Sequence, residues 1–131
     1  MKRLMISVLA AATFTFSLLG SNAGYAAAAD QLQALQAAGA GPFSAAAGQA
    51  LWLRDNDGRS CAGCHGSDPA RPGKHQKTGK PISPMALHAN PERFSDAAHT
   101  EKWFRRNCRW TLGRECSAQE KGDVLTWLIQ P

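Results

Sequence analysis

Hydrophobic and polar positions fall into five stretches along the chain, with a polar loop among them. From Leu4 to Gly20 the residues are apolar or small, and no charge appears until Asp30. Asp30 to Ala38 carries Leu32 and Leu35 on a short helical pattern that Gly39 ends. Ser44 is placed to cap a second helix running to about Leu53, with Leu51, Trp52 and Leu53 at its end and Asp55-Asn56-Asp57-Gly58 as its breaker. Ser95 or Asp96 caps a third helix, expected to end near Asn107. Ser117-Ala118-Gln119-Glu120 is a capping box that opens a final helix, with Val124, Leu125 and Leu128 as its apolar stripe and Trp127 close by. Between Gly66 and Pro91 the chain is rich in Pro, Gly, Lys and Ser, which predicts an irregular loop covering a site. The pattern predicts an all-α fold in which loops hold much of the chain.

The first stretch reads as an address. Lys2 and Arg3 precede an apolar run, and small residues follow it through Ala26. This is the layout of a secretory signal peptide. The run is marginal in length for an uncleaved membrane anchor. The division expected is 1–26 signal peptide and 27–131 mature domain, cut after Ala26, with Ala23 and Ala28 as alternative positions. That cut removes Lys2 and Arg3 and no acid, so the formal charge falls from +5 to +3. A balance this mild argues against nucleic acid as a partner. Export places the protein in the periplasm, with no membrane association after cleavage, and permits disulfides. A total of 131 residues excludes a large multidomain enzyme.

Cys61-Ala62-Gly63-Cys64-His65 carries the chemistry. C-x-x-C-H is the attachment signature of c-type haem. Two thiols three positions apart reach the two vinyl groups of one porphyrin, and the next residue offers an imidazole to the iron. A redox dithiol calls for a βαβ context, which is missing. A structural zinc site calls for a second close pair, but Cys108 and Cys116 are eight apart. Those two remaining cysteines are expected to bridge in an exported chain. The bridge is a stability staple, or it also steers the residue beside it.

The far side of the iron decides the function. A Met ligand gives an electron carrier, and a weak or absent ligand gives a site for small gases. The candidates are Met85, His75, His88, His99 and Asn107. Met85 lies in Pro81-Ile82-Ser83-Pro84-Met85 and is the conventional choice. Asn107 could as well be a helix C-cap. Trp103 lies one turn before Asn107 on the same face, as a cofactor-pocket wall or an ordinary core residue. Positive charge on Arg71, Lys74, Lys77, Lys80, Arg105, Arg106, Arg109 and Arg114 reads as a solvated surface, a docking patch or a counterweight to haem carboxylates.

Thr78-Gly79-Lys80, Pro84, Pro91, Arg93-Phe94, Asp96, Glu101-Lys102-Trp103, Arg106-Asn107-Cys108, Gly113-Arg114, Cys116, Glu120-Lys121 and Leu125-Thr126-Trp127-Leu128 follow one pattern in order. It resembles the sphaeroides haem protein family, oxygen-binding monohaem cytochromes c, from about Ser44 to the C-terminus. The resemblance implies a small class I-like cytochrome c fold around one covalent haem. It implies attachment at Cys61 and Cys64, with His65 and Asn107 as iron ligands in the ferric state. It also implies that Asn107 leaves on reduction and opens the iron to O₂, NO or CO. The related cytochromes c″ carry His at the Asn107 position. Met85 stands where the family pattern has a non-ligating aliphatic residue, so a His65/Met85 electron carrier stays open. The donor implied is a dihaem or other c-type cytochrome. A haem enzyme reducing O₂ or oxidising NO is a further alternative, although the sequence offers no acid or base to anchor either reaction.

Overall fold

Alanine, the best helix former, dominates the segment that builds α1 (Ala23–Ala37) in the computed structural model, which describes residues 23–131. This helix begins upstream of the expected Asp30, because Ala26 to Ala29 supply no breaker. Ser44 caps α2 (Ala45–Leu53), its hydroxyl accepting from the Ala47 N–H. Cys61 to His65 forms the expected short turn, with α3 at Ala62–His65. Asp96, one of the two expected caps, starts α4 (Ala97–Leu112) by accepting from the His99 N–H. The capping box at Ser117 and Glu120 opens α5 (Ala118–Leu128).

Two expectations need correction. The helix α4 does not end near Asn107 but runs on to Leu112, where Gly113 at φ 71° supplies the left-handed cap. Asn107 is therefore a helix-interior residue, not a C-cap. The loop from Gly66 to Pro91 also contains a two-stranded antiparallel ribbon, β1 (Gly73–Lys74) with β2 (Pro81–Ile82), in the register Gly73 to Ile82 and Lys74 to Pro81. The ribbon is too short to alter the all-α class.

The core lies where α2 and α5 cross. Trp52, Leu87, Phe94, Val124, Leu125 and Leu128 are buried together there, with Ala28 of α1 against them. Gly48 makes the crossing possible, because a Cβ at this position would overlap the Asp123 carbonyl. The buried Asp123 carboxylate accepts from the Ser44 N–H at 2.7 Å and the Gln119 amide at 2.9 Å, tying the start of α2 to α5. A buried carboxylate needs such partners. The helix α1 is fastened by Gln31, which donates to the Phe94 carbonyl at 2.8 Å. Among the described residues, no helix is long and apolar enough to cross a membrane.

Candidate functional site

The short turn at Cys61–His65 lies against the core through Trp52. The Trp52 indole donates to the Gly66 carbonyl at 2.8 Å, and its ring lies 5.3 Å from the His65 ring. Trp127 of α5 meets Trp52 edge-on at 5.4 Å. Trp52 thus meets the imidazole from the core side, with Trp127 packed behind it. The β1–β2 ribbon presses on the turn from outside. Gly73 makes the approach possible, because a Cβ there would overlap the Cys64 carbonyl. The Gln76 N–H donates to the Cys64 sulfur at 3.4 Å.

Before haem attachment Cys61 and Cys64 are free thiols, and both are half-buried. Burial pushes the Cys61 thiol up to about 11, so it is protonated at neutral pH. Burial also drives His65 down to about 4, with the nearby Arg93 charge adding to the effect. His65 is therefore neutral at pH 7, the form of imidazole that binds metals. Its Nδ1 is buried without a hydrogen-bond partner.

All three residues line a cavity of about 760 Å³. The helix α4 supplies the facing wall with Thr100, Trp103, Phe104, Asn107 and Thr111, recurring at helical spacing. Met85 lines the same cavity, its side chain packed against the core and its N–H given to the Pro69 carbonyl at 2.8 Å. The structure thus brings together Cys61, Cys64, His65, Met85, Trp103 and Asn107. Asn107 is half-buried, and its carbonyl accepts from the Thr111 hydroxyl at 2.7 Å. Directly after it, Cys108 is bonded to Cys116, with Cα atoms 5.5 Å apart. Trp103 is 42% exposed and carries the Arg106 guanidinium over its ring at 4.9 Å.

Of the remaining candidates, His75 and His99 also line the cavity and His88 does not. His75 is exposed, and its Nδ1 accepts from the Thr78 N–H at 3.1 Å within the ribbon turn. The exposed His88 contacts the Gln130 carbonyl at 3.2 Å. His99 lies 6.0 Å from the Trp103 ring, at the cavity edge. Of the basic residues, Arg109 and Arg114 are held by Glu115 and Glu120, whereas Lys77, Lys80 and Arg106 border the cavity. Sequence reasoning missed the parts played by Trp52 and Arg93. Both act through contacts distant in the chain, and no local pattern marks them.

These observations meet the demands of one cofactor. Two unpaired thiols and a neutral imidazole sit on one turn, at the wall of a cavity within the roughly 300–1,000 Å³ range of cofactor sites. Helices around such a turn define a monohaem c-type cytochrome. Residues 38–128 match the family described as a domain of unknown function (DUF1924), and the chain belongs to that family. It is 42% identical over 111 residues to the cytochrome c-type protein SHP of Cereibacter sphaeroides, the match covering 81% of this chain and 85% of that protein. A structure of oxidised SHP, an oxygen-binding cytochrome c, superposes with a TM-score of 0.73 at 42% identity, over 77% of this chain and 94% of that one. Cytochrome c″ of Methylophilus methylotrophus is 40% identical over 70 residues, which is 53% of this chain and 49% of that protein. Its oxidised crystal structure gives a TM-score of 0.66 at 28% identity, over 82% of this chain and 93% of that one. Like these relatives, the chain is a c-type haem protein with one covalently attached haem.

Proposed function

We propose that the protein accepts electrons and, once reduced, binds a small diatomic gas. In this reading Cys61 and Cys64 hold the porphyrin through thioethers. His65 supplies the permanent iron ligand and Asn107 the labile one, with Trp103 beside it. The haem, when bound, supplies one-electron redox chemistry and a site for O₂, NO or CO. Trp52, backed by Trp127, would orient His65. Asn107 would hold ferric iron through a neutral carboxamide. An amide is a weak donor that softer ferrous iron would hold poorly, so Asn107 would be released on reduction.

The observation that carries this reading is the placement of Asn107 in the α4 wall of the same cavity as His65, one residue before the disulfide. Relatives add support. SHP is described as an oxygen-binding cytochrome c, and a solution structure of cytochrome c″ addresses haem-ligand detachment. Met85 lines the cavity too, which supports a second reading as a His65/Met85 electron carrier.

Absorption spectra of both oxidation states, with and without CO, separate the two. Wild type and Met85→Leu are expected to lose the distal ligand on reduction and take up CO directly. Asn107→Ala is expected to change the ferric spectrum. A ferrous protein that keeps its sixth ligand, and loses it in Met85→Leu, overturns the proposal. Turnover of O₂ or NO by the reduced protein would identify a haem enzyme instead. A dihaem or other c-type cytochrome is the proposed electron donor. Stopped-flow reduction by such a donor tests it.

Export to the periplasm belongs to the same proposal. We place the cut after Ala23, so that Gly24 begins the mature chain. Gly24 is buried, and a Cβ there would overlap the Pro91 carbonyl and come within 2.8 Å of a Leu87 methyl. Cutting after Ala26 discards this fitted residue. Cutting after Ala28 discards a side chain with 0% exposure. The intact mass of the exported haem protein reports the first residue. A chain that starts at Ala27 or later overturns this placement.

A further inference from the structure

Arg93 is a half-buried cation in the cavity wall that no acid among the described residues neutralises. Its Nε donates to the Pro84 carbonyl at 3.0 Å and its Nη2 to the Ser83 carbonyl at 2.8 Å. Asn90 shares the Pro84 carbonyl at 3.2 Å and accepts the Arg93 N–H at 2.9 Å. The guanidinium is therefore clamped in one orientation by the segment just before Met85. Two hydrogen bonds use two of its five N–H donors. The ion pairs among the described residues are Arg109–Glu115, Arg114–Glu120 and Lys121–Glu101, and none includes Arg93. Glu92 and Asp96 border the same cavity, yet neither reaches it. Burial destabilises the charge and lowers the Arg93 pKa. A desolvated cation with spare donors calls for an anion. Arg93 lines the cavity, so an anion held there is within reach of its spare donors.

We propose that Arg93 is a positioning residue that pairs with a carboxylate of the cofactor, and that its charge favours the reduced state. The inference rests on the haem-protein reading but not on release of Asn107. A guanidinium fork suits a carboxylate better than a lysine does, because its donors are planar and fixed. Removing the cation leaves a buried carboxylate unpaired, and both changes favour ferric iron.

The test is spectroelectrochemical titration of the haem-loaded protein from pH 5 to pH 8. Wild type is compared with Arg93→Met, Arg93→Lys and the exposed control Arg105→Met. Covalent haem content is checked first, so that failure of haem attachment is recognised separately. Arg93→Met is expected to lower the equilibrium constant for one-electron reduction about tenfold, near 59 mV. It is also expected to add a pH-dependent step, as the unpaired carboxylate titrates within this range. Arg93→Lys restores most of the constant, and Arg105→Met leaves it within about twofold. Arg93→Gln, which keeps a donor for the Ser83–Pro84 carbonyls, serves if Arg93→Met does not fold. An unchanged constant in the Met or Gln variant overturns the proposal. A lowered constant without the new pH step overturns the carboxylate pairing.

Discussion

The α2–α5 crossing and the α4 wall solve the same problem in opposite ways. At the crossing, protein covers protein: Gly48 brings the backbones together, and Trp52, Val124, Leu125 and Leu128 disappear from solvent. The helix α4 turns Trp103, Phe104 and Asn107 toward a cavity, and Trp103 stays 42% exposed. The first region owns its core. The second has only half of one, and on the proposed reading haem would supply the other half. Fold and cofactor would then be coupled through α4, while the crossing packs protein on protein.

The largest test of that contrast removes the tether. Cys61→Ala combined with Cys64→Ala is expected to abolish covalently retained haem, read as colour left in the polypeptide after acid–acetone extraction. Hydrogen exchange should then speed up across α4 far more than across α2 and α5. Equal loss in both regions breaks the comparison.

Opening the Cys108–Cys116 bond comes next. The closed loop is short, and the chain-entropy relation gives about 2–3 kcal/mol of lost stability, read from the urea midpoint. CO affinity of the Cys108→Ser/Cys116→Ser variant reports whether the bond also steers Asn107. Identical affinity leaves it a staple. Gly48→Ala strikes the other region, where the new methyl forces the α2 and α5 backbones apart. A loss of about 1–3 kcal/mol is expected. It should appear with and without haem, which sharpens the distinction.

The smallest effect lies at the start of α5. Arg114 beside Glu120 holds that carboxyl down to about 2, partly opposed by burial and helped by the Ser117 N–H. The folded pKa is below the unfolded one, so the stabilisation is present above the ordinary carboxylate range and fades as pH falls toward 2. The pair faces solvent, so Glu120→Gln is expected to cost less than ~1 kcal/mol at pH 7. Thermal midpoints of the two proteins should converge by about pH 2.

Features encoded within a few residues were legible from the chain alone. The Ser44 cap, the Ser117–Glu120 box, the Val124, Leu125 and Leu128 stripe and the Cys61–His65 turn each carry their own signal. The extent of α4 was not, because Asn107 and Cys108 suggest an end where the real stop, Gly113, lies further on. The β1–β2 ribbon escaped because each strand is two residues long and one begins with proline. Trp52 and Arg93 gain their roles from Gly66 and from Ser83–Pro84, partners that only folding brings near. The Cys108–Cys116 bond was expected from export and leftover thiols, and it is present.

Asn107 lies well inside α4, with its carbonyl engaged by Thr111 and the disulfide following at once. Its main chain has no hinge. If Asn107 is the labile ligand we propose, its departure would call only for torsion about two side-chain bonds, motion on the order of nanoseconds where packing is loose. A latch of this kind would keep pace with electron delivery, and the encounter with a donor, not the protein's own rearrangement, would set the tempo.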